Sequence, residues 1–277
     1  MLKTNVSFNY IITVHNKEDL IRDVMIGVIH SAGLNSTIYP VLDGCTDSSE
    51  SIIDDISRLY PKVKIVKLFA DDVHELRSIN IGLMHSNQNG EGYNIILQDD
   101  VILEDKKMES KCIHLYSQFN QLGILSFRHG GNISRKGIHY PKYSPLIDYI
   151  QNQCGHNVNP STMLKTGSFT FREVAIKSPI CIPFKIIREQ GIPNELYAPW
   201  DDLGYCYRIS NAGYCNGVLA LNFVSDVDWG STRAKKQKIS IFEVACNNMD
   251  KFTYFHPDIP PLDSLKYDNK IHQIFSA

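Results

Sequence analysis

Two adjacent carboxylates, Asp99 and Asp100, stand directly behind the apolar run Ile95-Ile96-Leu97 and the amide Gln98. The run has the character of a buried strand, and a helical pattern resumes beyond the acids. Ligands of open α/β sheets gather outside the carboxyl ends of strands, so both side chains would face whatever the protein handles. Neighbouring like charges repel unless something positive lies between them, and a divalent cation carrying phosphate oxygens meets that need. The chemistry to look for is that of a nucleotide and its metal ion. The same two residues also suit the opening turn of the next helix, where acids favour the positive end of the dipole. At this stage both readings stand.

Positioning such a pair takes a sheet. Residues 8–14 read as a first strand, broken at His15-Asn16 before a helix whose Leu20, Val24 and Val28 share one stripe. Asn16 is the expected cap of that helix, with Asp19 three residues later. Residues 37–42 form a second strand ended by Asp43-Gly44-Cys45-Thr46-Asp47, and Ile52, Ile56 and Leu59 mark a second helix closed by Pro61. A third strand over residues 63–68, a helix over 72–85 and a turn at Asn87-Gln88-Asn89-Gly90 lead to the strand before Asp99. Strand and helix thus alternate four times. That alternation predicts an α/β fold, a mostly parallel central sheet flanked by helices with right-handed crossovers.

Met108, Cys112, Leu115 and Phe119 stripe the next helix, and residues 123–127 give another strand. Regularity then fades. Residues 129–160 are rich in Gly, Asn, Ser, Tyr and Pro, a loop-dominated stretch of the kind that carries specificity. Residues 166–176 read as a strand, 179–193 as an irregular connection, and Asp201-Asp202 open a helix for which Gly213 is the expected C-cap. A strand over 217–224 precedes a tail holding Asp226, Asp228, Trp229 and the cluster Arg233, Lys235, Lys236 and Lys238. The expected organisation is one domain in two halves, residues 1–128 and 129–232, followed by a tail over 233–277.

Bulk properties narrow the function classes. A chain of 277 residues with 43% hydrophobic content can bury a substantial core. Lys and Arg total 28 against 30 for Asp and Glu, so nothing global favours nucleic acid or an anionic membrane. Any anion site must be local. The seven cysteines are odd in number and include no CxxC pair, which fits reduced thiols and argues against structural zinc. Neither a signal-peptide pattern nor a bilayer-length apolar stretch is visible, so the expectation is a cytoplasmic protein with peripheral docking at the inner face of a membrane left open.

Taken in order, Thr13-Val14-His15-Asn16, Asp43-Gly44-Cys45-Thr46-Asp47, Gln98-Asp99-Asp100, and Trp200-Asp201-Asp202 with Arg208 and Gly213-Tyr214 resemble the family 2 inverting glycosyltransferases of GT-A fold. The resemblance spans roughly residues 8–232. It implies a Rossmann-like GT-A sheet, a nucleotide-sugar-binding first half, an acceptor-side catalytic second half of more irregular structure, and a basic loop in the tail. It places Thr13, Val14, His15 and Asn16 beside the nucleobase, with His15 where the family usually has Tyr. Asp43 corresponds to an acid that accepts a hydrogen bond from uracil, and Gly44 leaves room for close approach. A plain turn and helix cap would use the same residues.

The family's Asp-x-Asp metal motif is represented by Gln98-Asp99-Asp100, with Leu97 in place of the leading acid. The implied cation is Mg²⁺ or Mn²⁺, which needs only one or two protein carboxylates when phosphates and water complete its shell. Asp202 aligns with the general base that takes the acceptor's proton, while Asp201 and Asp202 equally suit helix capping and the dipole. Arg77 falls near a family arginine beside the diphosphate or base, though an arginine on a helix surface needs no function. Asp228 lies where family members carry a metal- or phosphate-contacting His, and Arg233 could clamp the leaving diphosphate; a solvated charge run has the same composition.

The resemblance implies a metal-dependent transfer of sugar from a UDP- or dTDP-type donor to a hydroxyl of a glycan or lipid-linked acceptor, in surface glycan or glycolipid synthesis, with no nucleic acid partner. Two rivals remain. A nucleotidyltransferase acting on sugar phosphates would carry a Gly-rich basic loop after the first strand, and residues 13–20 have none. A catalytically silent GT-A-fold nucleotide- or carbohydrate-binding protein is favoured by the missing leading acids at Leu42 and Leu97.

Overall fold

In the computed structural model, the described residues are 6–127, 132–134, 137–139, 147–149, 160–163, 165–171, 175, 177–195, 201–225 and 272–276. The first half runs β1 (Ser7–Val14), α1 (Ile21–Ser31), β2 (Ser36–Asp43), α2 (Ser49–Leu59), β3 (Lys64–Ile65), β4 (Leu68–Ala70), α3 (Glu75–His85), β5 (Gly92–Gln98), β6 (Ile102–Leu103), α4 (Met108–Gln118) and β7 (Leu122–Ser126). Four short strands follow: β8 (Asn132–Ser134) pairs with β9 (Gly137–His139), and β10 (Ile147–Tyr149) with β11 (Pro160–Met163). The chain then continues through β12 (Ser168–Phe171), β13 (Ile180–Pro183), α5 (Phe184–Gln190), α6 (Asp201–Asn211), β14 (Cys215–Leu219), β15 (Phe223–Val224) and β16 (His272–Gln273).

Ten strands form one sheet in the order β16-β12-β14-β7-β13-β5-β1-β2-β3, with β4 also on β2. β1 runs parallel to β2 and β5, and β2 parallel to β3 and β4. β13 is antiparallel to both β5 and β7, so β7 and its parallel partner β14 run with β5. The expected mixed α/β sheet is therefore present, mostly parallel with antiparallel insertions. Period-2 alternation separates two cores. Phe8, Tyr10, Ile12 and Val14 join α1, α2 and α4 on one face, while Ile11, Val41 and Ile96 join α3, α5 and α6 on the other.

Several elements depart from the sequence expectation, each for a local reason. The third strand splits into β3 and β4 because Pro40 has no N–H. Ile38 turns its carbonyl to Val66 N at 2.8 Å, so Pro40, of the same parity, faces the same neighbour with no donor. Asn16 is not the cap of α1, which begins at Ile21 after a turn in which Ile21 N bonds Lys17 O at 2.8 Å. The helix expected over 72–85 starts at Glu75, because Asp72 (φ 53°) and His74 (φ 80°) lie in the left-handed region. The expected connection over 179–193 is instead strand β13 and helix α5, and of the strand expected over 166–176 the described part is β12, Ser168–Phe171, residues 172–174 and 176 lying outside the described residues. The strand expected over 217–224 is β14 followed by the separate β15, which pairs with β6.

Gly213 ends α6 as expected. It sits at φ 91°, donating to Ser210 O at 3.0 Å while Tyr214 N reaches back to Ile209 O at 3.3 Å, a Schellman closure. Gly82 of α3 lets the helix rest on β1: an added Cβ would lie 2.3 Å from Ile11 Cγ2, in a fully buried, β-branched and hence stiff side chain. Gly82→Ala is expected to destabilise the fold by about 1–3 kcal/mol through overpacking, read by chemical denaturation. No described helix is long and apolar enough to cross a membrane.

Candidate active site

The carboxyl ends of β1, β2 and β5 meet at one edge of the sheet, with Thr13 in register with both Val41 and Gln98. Just past β1, His15 donates its backbone N–H to Asp99 Oδ2 at 2.7 Å. Its ring Nδ1 lies 2.6 Å from the Asp43 carbonyl oxygen. A carbonyl can only accept, so the proton of the neutral ring sits on Nδ1 and leaves Nε2 as the basic nitrogen. Asn16, at φ 51°, accepts from Thr46 N through Oδ1 at 2.8 Å. Glu18 N donates to Asp47 Oδ2 and Ser48 N to Glu18 Oε2, both at 3.0 Å, so the loops after β1 and β2 are zipped together. This second use of its side chain is why Asn16 does not cap α1.

Asp43 is buried and accepts two backbone amides, Val73 N at 2.7 Å and His74 N at 3.0 Å. It braces the loop between β4 and α3, and it forces the left-handed turns at Asp72 and His74, conformations that persist only when their surroundings over-determine them. Gly44 is required beside it: at φ 59°, an added Cβ would approach Asp72 Cβ to 2.7 Å. Asp43→Ala is expected to cost about 3 kcal/mol of stability, the order of two amide bonds to a charged acceptor, and denaturant titration reads it. Cys45 donates its thiol to the Val14 carbonyl, and burial pushes that thiol up to about 11, so it is no nucleophile at neutral pH. Val14 itself packs in the core.

Asp99 is a strongly perturbed acid of the edge. Burial pushes it up to about 7, the neighbouring Asp100 and Glu75 add to the rise, and Lys17 and the His15 amide oppose it. Lys17 Nζ stands 3.7 Å from Asp99 Oδ1, with both side chains 11% exposed. Gln98 closes β5 by donating its N–H to Ser178 Oγ at 2.7 Å. On α3, Glu75 Oε1 lies 3.7 Å from Lys177 Nζ, and two residues on, Arg77 donates to Glu195 Oε2 at 2.8 Å, tying α3 to the chain before α6.

Chain direction places Asp202 at the same edge. α6 ends beside the start of β14 and lies back along β14 and β7, so its first turn reaches their carboxyl ends. Asn216 of β14 donates to Cys206 O at 3.3 Å, and its Oδ1 accepts from Ile124 N at 3.1 Å, which pins the middle of α6 to both strands. Cys206 Sγ accepts from Ala175 N at 3.2 Å, and Ala175 lies three residues before the Ser178 that holds Gln98. Asp202, one turn before Cys206, stands in the first turn of α6. Asp201 is the first residue of α6. Asp228 and Arg233 lie outside the described residues.

Thr13, Val14, His15, Asn16, Asp43, Gln98, Asp99 and Asp100 are thus gathered at one edge, while Arg77 is paired with Glu195. Sequence reasoning passed over Lys17, Asp72, His74, Glu75, Lys177 and Ser178; only Lys17, next to His15-Asn16, had a neighbouring signal. Asp99 lies among the charges of Asp100, Glu75 and Lys17, and Lys177 stands 3.7 Å from Glu75. Ligand atoms of His15, Asp43 and Asp72 also lie within 4.8 Å of one another, a spacing open to a metal ion. His15 Nδ1, both Asp43 oxygens and Asp99 Oδ2 are hydrogen-bonded within the protein; oxygen donors of this edge suit Mg²⁺ or Mn²⁺.

Solved structures share this architecture. A mannosyltransferase from Pyrobaculum calidifontis, in complex with GDP-Man and Mn²⁺, superposes with a TM-score of 0.59 at 12% identity over 95% of this chain and 70% of its own. GalNAc-T7 with UDP, GalNAc and Mn²⁺ gives 0.57 at 12% over 78% of this chain and 43% of its own. S. aureus TarS gives 0.53 at 13% identity, and there this chain spans 80% of itself but only 37% of the longer protein. At these identities the likeness is one of fold, the GT-A fold. No curated protein matches the chain in sequence. The sequence family described as "Glycosyl transferase family 2" matches residues 10–177, more than half of the 277. With its acids gathered at the carboxyl edge of a GT-A sheet, the chain belongs to glycosyl transferase family 2.

Proposed function

We propose that the chain is a metal-dependent inverting glycosyltransferase that moves one sugar from a UDP- or dTDP-type donor to a hydroxyl of a glycan or lipid-linked acceptor, working in the cytoplasm at the inner face of a membrane. The observation that carries this reading is the gathering of Asp43, Asp99, Asp100 and the first turn of α6 at one edge of the sheet. The nucleoside end of the donor lies against His15 and Asp43, with Thr13 and Asn16 shaping the floor. Asp99 and Asp100 would hold the cation, which would supply positive charge against the diphosphate as it departs. The nucleotide sugars, nucleotide and Mn²⁺ bound in the similar structures support the pairing of metal and donor.

Asp202 takes the proton from the acceptor hydroxyl as that oxygen attacks the anomeric carbon from the side opposite the diphosphate. One carbon–oxygen bond forms, the bond to the diphosphate breaks with its electron pair staying on phosphate oxygen, and the anomeric configuration inverts. Incubation with a panel of nucleotide sugars and Mn²⁺ should release nucleoside diphosphate from one donor class, and EDTA should stop it. Nucleotide binding without release or transfer from any donor would favour the silent reading, and release of pyrophosphate from triphosphates the nucleotidyltransferase.

A further inference from the structure

The sequence holds two Asn-Gly dipeptides, Asn89-Gly90 and Asn216-Gly217. Chemically they are alike. In each, the glycine amide can swing toward the carbonyl carbon of the preceding side chain, because a residue without Cβ obstructs neither the approach nor the backbone rotation it requires. The fold treats the two pairs in opposite ways.

Asn216 is fully buried in β14. Its Oδ1 accepts from Ile124 N at 3.1 Å, and its Nδ2 donates to Cys206 O and Ser210 Oγ, both at 3.3 Å. Gly217 pairs with Phe171 on one side and Leu125 on the other, and an added Cβ would lie 2.7 Å from Phe169 Cε2. Side chain and backbone are both fixed. Asn89 and Gly90, by contrast, are exposed in the turn between α3 and β5. Asn89 N donates to Asn87 Oδ1 at 3.0 Å, but the Asn89 side chain makes no hydrogen bond among the described residues, and neither does the Gly90 N–H. Gly90 lies at φ 77°, and beyond its chain neighbours nothing approaches within 4 Å of where a Cβ would be. Nucleophile and electrophile stand next to each other, solvated and uncommitted.

We propose that Asn89 is a site of covalent self-modification, deamidation through a cyclic imide. Gly90 N gives its proton to solvent and bonds to Asn89 Cγ; the Cγ–Nδ2 bond breaks, and the side-chain nitrogen takes up a proton and leaves as ammonia. Water then opens the ring at either carbonyl, giving aspartate or an isoaspartyl link in which the main chain runs through the former side chain. The position gives the reaction a consequence. Arg188 Nη1 donates to Gln88 O at 2.6 Å and to Gly90 O at 3.1 Å, clasping the turn on either side of Asn89. An isoaspartyl link inserts a carbon between those two carbonyls, so one nitrogen no longer holds both at the present spacing. The same turn seats the adjacent strands β1 and β5, through Asn9 Nδ2 on Asn87 O at 2.8 Å and Gln88 on Asn94 at 2.9 Å.

The reaction needs nothing bound at the carboxyl edge and is independent of the glycosyltransferase reading. The full chain would be incubated in mildly alkaline buffer, folded and in denaturant, with peptide mapping by mass spectrometry following amide loss at both sites and isoaspartate-specific carboxyl methylation reading the rearranged link. In the folded protein Asn89 should convert at least about 100-fold faster than Asn216, which reacts only when β14 opens. In denaturant the two rates should converge. Asn89→Gln, which lengthens the side chain by one methylene, should remove the isoaspartyl signal from the folded protein. Conversion at Asn216 that keeps pace with Asn89 in the folded protein, or an Asn89 amide that persists there while it is lost in denaturant, overturns the inference.

Discussion

Asp202→Asn should reduce sugar transfer by about 100- to 10,000-fold, the range a positioned general base contributes, while donor affinity stays within about 2-fold of the native value. The separation follows from geometry. Asp202 belongs to α6, which is anchored through Cys206 and Asn216, whereas the groups proposed to face the donor come from the ends of β1, β2 and β5. Asparagine keeps the size and hydrogen-bonding reach of aspartate at the start of the helix, so the fold has no reason to respond, but its amide cannot take the acceptor's proton. Initial rates together with calorimetric titration of the donor give both quantities. Turnover at the native rate would remove Asp202 from the chemistry.

Asp100→Asn should abolish the Mn²⁺ dependence of donor binding and weaken binding in Mn²⁺ by about 100-fold or more, on the scale of the 2–5 kcal/mol lost when one partner of a desolvated charge pair is removed. The edge carries more carboxylate than ammonium charge, and Asp99 is pushed up to about 7 by burial and by Asp100 beside it. A diphosphate entering without a cation would meet net repulsion. Removing Asp100 eases that repulsion while withdrawing a ligand, so what binding remains should be indifferent to EDTA. Donor titrations in Mn²⁺ and in EDTA make the comparison. Undiminished, EDTA-sensitive binding by the variant would place the cation elsewhere, the His15, Asp43 and Asp72 group being the alternative.

The four alternations from β1 to β5 were legible because a buried strand and an amphipathic helix each stamp a period on the sequence. What broke that legibility was local. Pro40 interrupts the ladder and divides the third strand, an effect visible only once β2 has neighbours. β13 is four residues long and bounded by Pro179 and Pro183, so it reads as a connection, yet it is the antiparallel strand that seats Ser178 on Gln98. Asn16 has the composition of a cap, but the Thr46 amide across the loop claims its oxygen.

For the candidate site, residue types were easier to read than directions. Asp43 stood out at the end of an apolar strand, but nothing in the sequence indicated that amides 30 and 31 residues away would occupy both its oxygens. Glu75 and Lys177 were invisible, since an isolated charge has no period and their pairing joins segments a hundred residues apart.

A crystal structure of the protein grown with a nucleoside diphosphate and Mn²⁺ bears most directly on the central claim. The account places the ion between the diphosphate and the Asp99-Asp100 pair, the base against His15 and Asp43, and the Asp202 carboxylate facing the open side of the terminal phosphate. Nucleotide density at the opposite edge of the sheet, or an ion with neither Asp99 nor Asp100 among its ligands, would contradict it.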